Sequence, residues 1–310
     1  MFDSLVFATH FREILAVEVE KFLGKKVLEV GKQFDSTDSY SFLLTTDGGS
    51  SYVGKIFRFP DWPPKGKLEA ISKLLVQHSI SHEEILFITH QHEVFTYGWQ
   101  LSMYIPGGTA YDLWKKDALS KSEFFEAIGR LLSKTHLIKS QVCGSIIDSE
   151  DQFPFFKDMA ESEIAQQSFN SLPSAYEIER GVLEEAKNSI LEIVPGFNFD
   201  NFSLVHDDAG AKNLLWNNGD PIMIDWVDSV WAPPLRDFAT LTFNQDESVL
   251  SYIEKGYGKE IDVGELYLHQ LMRVVRLAHF YFFEGKKIDD FKLMVSRTST
   301  LLKERKPFGI

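Results

Sequence analysis

The chain has 310 residues, 44% of them hydrophobic and 25% charged, the balance of a globular protein large enough for more than one core. Its formal net charge of −13 argues against nonspecific nucleic-acid binding, which needs a basic surface. One cysteine, Cys143, excludes an intramolecular disulfide and suits the reducing cytoplasm. No apolar run approaches the ~20 residues that span a bilayer, and the amino-terminal apolar run leads into Arg12 and glutamates rather than a signal-peptide pattern.

In chain order, the spacing of Phe7, Phe11, Ile14, Leu15 and Phe22 predicts an amphipathic helix over Phe2 to Leu23. Strands are expected over most of Val27 to Phe59, with Asp47-Gly48-Gly49-Ser50 turning one hairpin. Lys67 to Leu75 has helical apolar spacing, and further strands run to Ile105. Pro106-Gly107-Gly108 then breaks the chain. Beyond it the pattern turns helical: Lys121 to Ile138, a segment near Asp158 to Gln167, and Tyr176 to Ile193. After residue 240, helices are expected near Ser248 to Lys255, Gly264 to Glu284 and Ile288 to Glu304. A strand-rich beginning and a helix-rich remainder give an α+β class, divided at about 1–104 and 105–310.

The segment SLVHDDAGAKNLLWNNGDPIMIDW carries the chemistry. It places His206, Asp208 and Asn213 as H-x-D-x-x-x-x-N, then a hairpin ending at Asp225. Phosphoryl transfer needs a carboxylate to accept the substrate hydroxyl's proton and oxygen ligands for Mg²⁺. Asp208 suits the first task, Asn213 and Asp225 the second. On this spacing Asp207 carries no chemistry and its loss should be mild. The set His136, His206-Asp207 and Asp225 is also compatible with a His-Asp metal phosphohydrolase, although such a pair belongs on a helix and here follows a strand-like run. Asp237 reads as an N-cap for Phe238 to Leu241.

From His206 to Asp237 the sequence resembles the aminoglycoside phosphotransferase and choline kinase-like family. H-D-D-A-G-A-K-N and I-D-W followed by A-P-P-L-R-D are most similar to antibiotic kinases acting on hygromycin or spectinomycin. The resemblance implies a bilobal protein kinase-like fold, ATP or GTP with Mg²⁺ as cofactors, Asp208 as catalytic base, and Asn213 and Asp225 as metal ligands. It makes His206 a brace for the loop and Asp237 a residue packed beneath the site.

Such enzymes also need a strand lysine for the phosphates, paired with a helix glutamate. Lys55 in Val53 to Phe57 and Glu69 in the following helix stand in the expected order. The phosphate loop has no G-x-G-x-x-G; Ser36, Thr37 and Ser39 offer hydroxyls instead, which argues against a protein kinase. Met103, Tyr104 and Ile105 stand where the family holds adenine.

The expected activity is transfer of a nucleotide γ-phosphate to a hydroxyl of a small molecule, with no nucleic-acid or membrane partner. A cationic aminoglycoside or related antibiotic, and hence a part in antibiotic resistance, is the first substrate class. Asp228, Glu161 and the neighbouring Glu150, Asp151, Asp158 and Glu163 offer carboxylates for its ammonium groups, and Trp231 and Tyr281 apolar walls. A kinase of choline, a sugar or an amino alcohol is the enzymatic rival. A silent nucleotide-binding module is disfavoured because Lys55, Glu69, Asp208, Asn213 and Asp225 are all retained.

Overall fold

The structure, a computed structural model, describes residues 4–34, 38–217, 219–243, 245 and 248–308. The chain divides into two compact units. The first holds the described residues up to Val76, with Ser81–Gly107 and Ile222–Val227. The second holds Gln77–Ile80, Gly108–Pro221 and the chain from Asp228 onward. The principal passage between them, at Gly107 and Gly108, lies three residues beyond the expected 104/105 boundary. Ile222–Val227 is counted with the first unit although it lies far along the sequence.

In the first unit, helix α1 (Ser4–Leu23) packs on one face of a sheet built from β1 (Val27–Phe34), β2 (Ser39–Thr46), β3 (Ser51–Phe57), β4 (Ile85–Thr89) and β5 (Trp99–Met103). Helix α2 (Lys67–Gln77) lies between β3 and β4 in sequence. The strand order is β1-β2-β3-β5-β4, with every neighbouring pair antiparallel. Alternation along β3 sends Tyr52, Gly54 and Ile56 to the buried side and Lys55 to the other. Leu15 and Val19 of α1 close a core with Phe42, Leu44, Ile56, Trp99 and Leu101. A Cβ on Gly54 would sit 2.8 Å from Leu15 Cδ2 and 3.0 Å from Leu44 Cδ1, so glycine lets the helix lie close to the strand bearing Lys55.

The second unit begins with β6 (Gly108–Thr109), α3 (Ala110–Lys115) and α4 (Lys121–Thr135), the last opened by a capping box between Ser120 and Glu123. Then come β7 (Lys139–Ser140), β8 (Cys143–Gly144), β9 (Gln152–Phe153), α5 (Phe156–Gln166) and α6 (Glu177–Ile193). Strands β10 (Phe202–Val205), β11 (Leu214–Asn217) and β13 (Val230–Ala232) follow, while β12 (Asp220–Met223) is divided between this unit and the segment counted with the first. The chain finishes with α7 (Leu235–Thr242), α8 (Leu250–Tyr257), α9 (Val263–Phe283) and α10 (Ile288–Glu304). A sheet of order β7-β10-β13-β8-β9 carries the loop after β10. Helices α6, α7 and α10 pack against the largely buried α9. Helix α4 meets α8 closely, since a Cβ on Gly256 would lie 2.0 Å from the Glu126 carbonyl oxygen.

The long elements match the periodicity of the sequence. The short helix α3, and β7, β8, β9 and β13 of two or three residues each, had no pattern long enough to read. No helix of the described residues is long and apolar enough to cross a membrane.

Candidate functional site

Within the first unit the key cation is Lys55. Its Nζ lies 3.2 Å from Asp225 Oδ1 and 3.6 Å from Glu83 Oε2. Glu83 Oε1 also accepts the backbone N–H of Asp225 at 3.1 Å. One buried glutamate therefore holds both the lysine and the backbone that presents Asp225. A bridge between His82 and Met223 docks that segment beside Glu83, and Asp225 takes a positive φ of 64°. Burial pulls the Lys55 pKa down, but the carboxylates of Asp225 and Glu83 outweigh it and hold it above the usual lysine value.

This arrangement corrects the expected pairing of Lys55 with Glu69. Leu68, Ile71 and Leu75 form the buried stripe of α2, which leaves Glu69 on its exposed face. Glu83, in the segment before β4, occupies the position by the lysine. Nothing in the sequence marked it, because it lacks helical context and stands beside a second glutamate.

Of the expected phosphate-loop hydroxyls, Ser36 and Thr37 lie outside the described residues. Ser39 is not in the loop but begins β2, where it is buried and its hydroxyl hydrogen-bonds Ser41 at 2.8 Å. At the adenine candidates, Met103 donates its N–H to the Glu84 carbonyl and Tyr104 to that of Ser51.

In the second unit, the loop leaving β10 is braced from below by α7. Asp237 Oδ2 accepts the backbone N–H of His206 at 3.1 Å, and Oδ1 that of Asp207 at 2.9 Å. His136 Nε2 meets the same carboxylate at 3.1 Å while its Nδ1 meets Tyr257. Asp237 is thus inside the first turn of α7 rather than capping it, and its fully buried carboxylate serves the loop. His206, also fully buried, accepts the Asp208 N–H at Nδ1 (3.2 Å), which puts its ring proton on Nε2.

Asp208 points its carboxylate outward, with its side chain 44% exposed. Asn213 Nδ2 donates to Asp208 Oδ2 at 2.8 Å and to its carbonyl at 3.0 Å. The amide nitrogen being spent there, the Asn213 oxygen is the atom left for a metal. Amide and carboxylate oxygens are the hard donors Mg²⁺ takes, and Asn213 in the second unit and the partly exposed Asp225 in the first each offer one kind. His136, by contrast, has both ring nitrogens engaged, and no group of three or more His, Cys, Asp or Glu among the described residues is arranged to hold a metal. His136 is therefore committed to Asp237 and Tyr257 rather than turned to the ligand set of a His-Asp phosphohydrolase.

Asp207 is far from idle. Arg236 grips it with Nε on Oδ1 (2.6 Å) and Nη2 on Oδ2 (2.8 Å), and Arg276 adds its Nη1 and Nη2. Burial would raise the Asp207 pKa, but the two guanidiniums hold it far below the carboxylate range. Arg236 continues to Glu163 at 2.8 and 3.1 Å. Arg273 bonds the Asp207 carbonyl and Asp208 Oδ1, each at 3.2 Å. Arg273 and Arg276 were missed in the sequence. The available signal was two arginines spaced i, i+3 within the apolar run Leu271 to Leu277, a spacing that demands buried anions.

The acidic residues expected around the substrate do not gather as a set. Glu161 is exposed and paired with Lys157 at 3.5 Å, and Glu163 is committed to Arg236. Glu150 and Asp151 are exposed, whereas Asp158 and Asp228 are half-buried. Trp231 is buried on β13 opposite Leu204, and Tyr281 is half-buried on α9.

A loop aspartate tied to an asparagine, and a strand lysine tied to two carboxylates, are what a phosphotransferase with a kinase-like fold calls for. The chain belongs to the APH phosphotransferase enzyme family, whose model matches residues 30–269. Among solved structures it is similar to a thermostable mutant of an aminoglycoside phosphotransferase in complex with AMP-PNP and hygromycin B. Their identity is 16% and TM-score 0.73, covering 93% of this chain and 98% of that one. Spectinomycin phosphotransferase with ADP and spectinomycin gives 14% identity and TM-score 0.65, over 92% and 97%. An amicoumacin kinase with AMP-PNP and Ca²⁺ gives 18% and 0.65, over 97% and 96%. No curated protein matches the chain.

Proposed function

We propose that the chain is an Mg²⁺-dependent phosphotransferase that moves the γ-phosphate of ATP or GTP to a hydroxyl of a small polar molecule. The observation that carries this reading is the fixing of Asp208. Its backbone is set by Asp237 through its neighbours and by His206, and its carboxylate is oriented by Asn213 while still reaching solvent. Asp208 then accepts the acceptor hydroxyl's proton as that oxygen attacks phosphorus. Lys55, charged and held by Glu83, neutralises the nucleotide phosphates. Asn213 and Asp225 would hold Mg²⁺, which supplies charge neutralisation as the phosphoryl group moves. With the Met103 and Tyr104 N–H groups engaged, adenine is read by carbonyls of this segment or by Ile105.

The similar structures bear the names of hygromycin B, spectinomycin and amicoumacin, which supports an antibiotic acceptor. A metabolite alcohol is the second reading, favoured by the pairing of Glu161 and Glu163 with cations of the chain itself. Nucleotide consumption over a panel of antibiotics and small alcohols tests both. Mg²⁺-dependent turnover that Asp208→Asn abolishes supports the activity. Turnover untouched by that substitution would remove it.

A further inference from the structure

A small cavity in the second unit is lined by Glu163, Asp207, Arg236, His269, Arg273 and Arg276, with Met272 at its wall. Apart from Asp208, two carboxylates there face three guanidiniums. Both are spoken for: Asp207 by Arg236 and Arg276, Glu163 by Arg236. Among the described residues Arg273 pairs with Asp208, which is not part of the cavity lining. Its Nη2 rests on Asp208, the group that must receive a proton, and its buried Nε has no hydrogen-bond partner among the described residues. The Arg276 side chain is 34% exposed and borders the same cavity, its guanidinium bonded to Asp207. His269 is buried in the same wall, and neither ring nitrogen has a hydrogen-bond partner among the described residues, Glu265 lying 3.5 Å from Nε2.

A desolvated guanidinium with an unmatched donor is costly unless an anion completes it. The bond from Arg273 also occupies one acceptor position on Asp208 Oδ1. A ligand anion meeting Arg273 would complete its donors and leave that position open to a substrate hydroxyl. We infer that the acceptor carries an anionic group, a carboxylate or a phosphate or sulfate ester, that Arg273 and Arg276 hold while its hydroxyl is presented to Asp208. The inference rests on the phosphotransferase reading and reverses the sign of the substrate expected from the acidic composition. A cationic aminocyclitol would meet three guanidiniums at this wall, with two of its carboxylates already neutralised.

The test compares acceptors sharing a carbon skeleton but differing in charge: gluconate, glucose and glucosamine, then glycerate, glycerol 3-phosphate, glycerol and 2-amino-1,3-propanediol, each with Mg·ATP and the full chain. The anionic members should be preferred at least tenfold in kcat/KM. Arg273→Gln should raise KM for them at least tenfold with a smaller change in kcat, and Arg273→Lys should recover part of the loss. Arg276→Gln is a second variant, used with a folding check because Arg276 also holds Asp207. Binding is read separately as a saturable rise in Tm with sulfate or malonate over chloride at matched ionic strength. That rise should survive Lys55→Ala and vanish in Arg273→Gln. Preference for neutral or cationic acceptors, unchanged KM in the arginine variants, or no anion effect on Tm overturns the proposal. Turnover lost in Asp208→Asn but without anion preference leaves the phosphotransferase standing and removes only this inference. An anion effect without any Asp208-dependent turnover removes the phosphotransferase.

Discussion

The two oxygens of Asp237 accept the backbone N–H groups of His206 and Asp207, at 3.1 and 2.9 Å, so one buried carboxylate on α7 sets the course of the loop that ends at Asp208. His136 contacts the same carboxylate from the C-cap of α4, tying helix and loop together. The positive φ of 65° at Asp207 is held by these bonds.

Asp237→Ala leaves two backbone donors and an imidazole without their acceptor. Unsatisfied buried groups cost about 1–3 kcal/mol each, so a loss of about 3 kcal/mol is expected after relaxation. Urea denaturation measures it. A change under about 0.5 kcal/mol, the range of ordinary surface substitutions, would mean the brace is dispensable.

Asp207→Ala should be severe, contrary to what the H-x-D spacing suggests. It strips the shared carboxylate from Arg236 and Arg276, and breaking a buried ion pair by removing one partner costs about 3–5 kcal/mol. The pH dependence has a definite sign. The folded pKa of Asp207 lies below its unfolded value of about 3.9, so its contribution is present above that pH and lost as pH falls toward the folded value. Wild type should therefore weaken on acidification below about pH 4 through this group more than Asp207→Ala does. Denaturation midpoints of both proteins between pH 3 and 7 give the comparison.

The loop after β10 was legible because it is local. His206, Asp208 and Asn213 lie within eight residues between two apolar runs, and the structure bonds Asp208 to both of the others. Lys55 was legible for the same reason, alternating with the core positions of its strand. What could not be read is pairing across long separations. Glu83 meets Asp225 across 142 residues and Arg236 meets Asp207 across 29, and neither leaves a mark on the residues beside it. Glu69 was misplaced because helical spacing gives a stripe without saying which face neighbours Lys55. The sequence places Ser39 in a loop, whereas it begins β2, where it and Ser41, on the face of the strand pair that carries Lys55, are buried and hydrogen-bond each other.

Cys143 should resist thiol reagents in the native protein. The side chain is buried on β8 and donates to the Phe153 carbonyl, and burial pushes its pKa up to about 12. The thiolate is the reactive form, so labelling at pH 8 should follow unfolding. Labelling with a maleimide under native conditions at the rate of a free thiol would contradict this burial.

Glu83 and Glu69 can be told apart by nucleotide affinity. Glu83→Gln removes a charge from Lys55 and alters the acceptor of the Asp225 N–H, whereas Glu69 lies on an exposed helix face. Calorimetric titration with AMP-PNP and Mg²⁺ should show weaker binding, by about tenfold if the lost hydrogen bond to a charged group is worth about 1.5 kcal/mol. Glu69→Gln should leave affinity and stability within measurement error. The reverse ranking would return the lysine partner to α2.

Asp208→Asn separates chemistry from folding and from nucleotide binding. The substitution keeps shape and can still accept from Asn213 through its amide oxygen, so Tm should hold within a few degrees. What disappears is the anionic proton acceptor, and positioned general bases contribute about 10²–10⁴ in rate. The kcat should fall by that factor while the Kd for Mg·AMP-PNP stays nearly constant, because Lys55 and Asp225 are untouched. Arg273 provides the internal control. Its bond to Asp208 weakens when the charge is removed, so Arg273→Gln should perturb stability less in the Asp208→Asn background than in wild type. A double-mutant cycle in urea reads that coupling directly. Additive effects would show that the Arg273–Asp208 contact carries no energy, and a kcat insensitive to Asp208→Asn would place the base elsewhere.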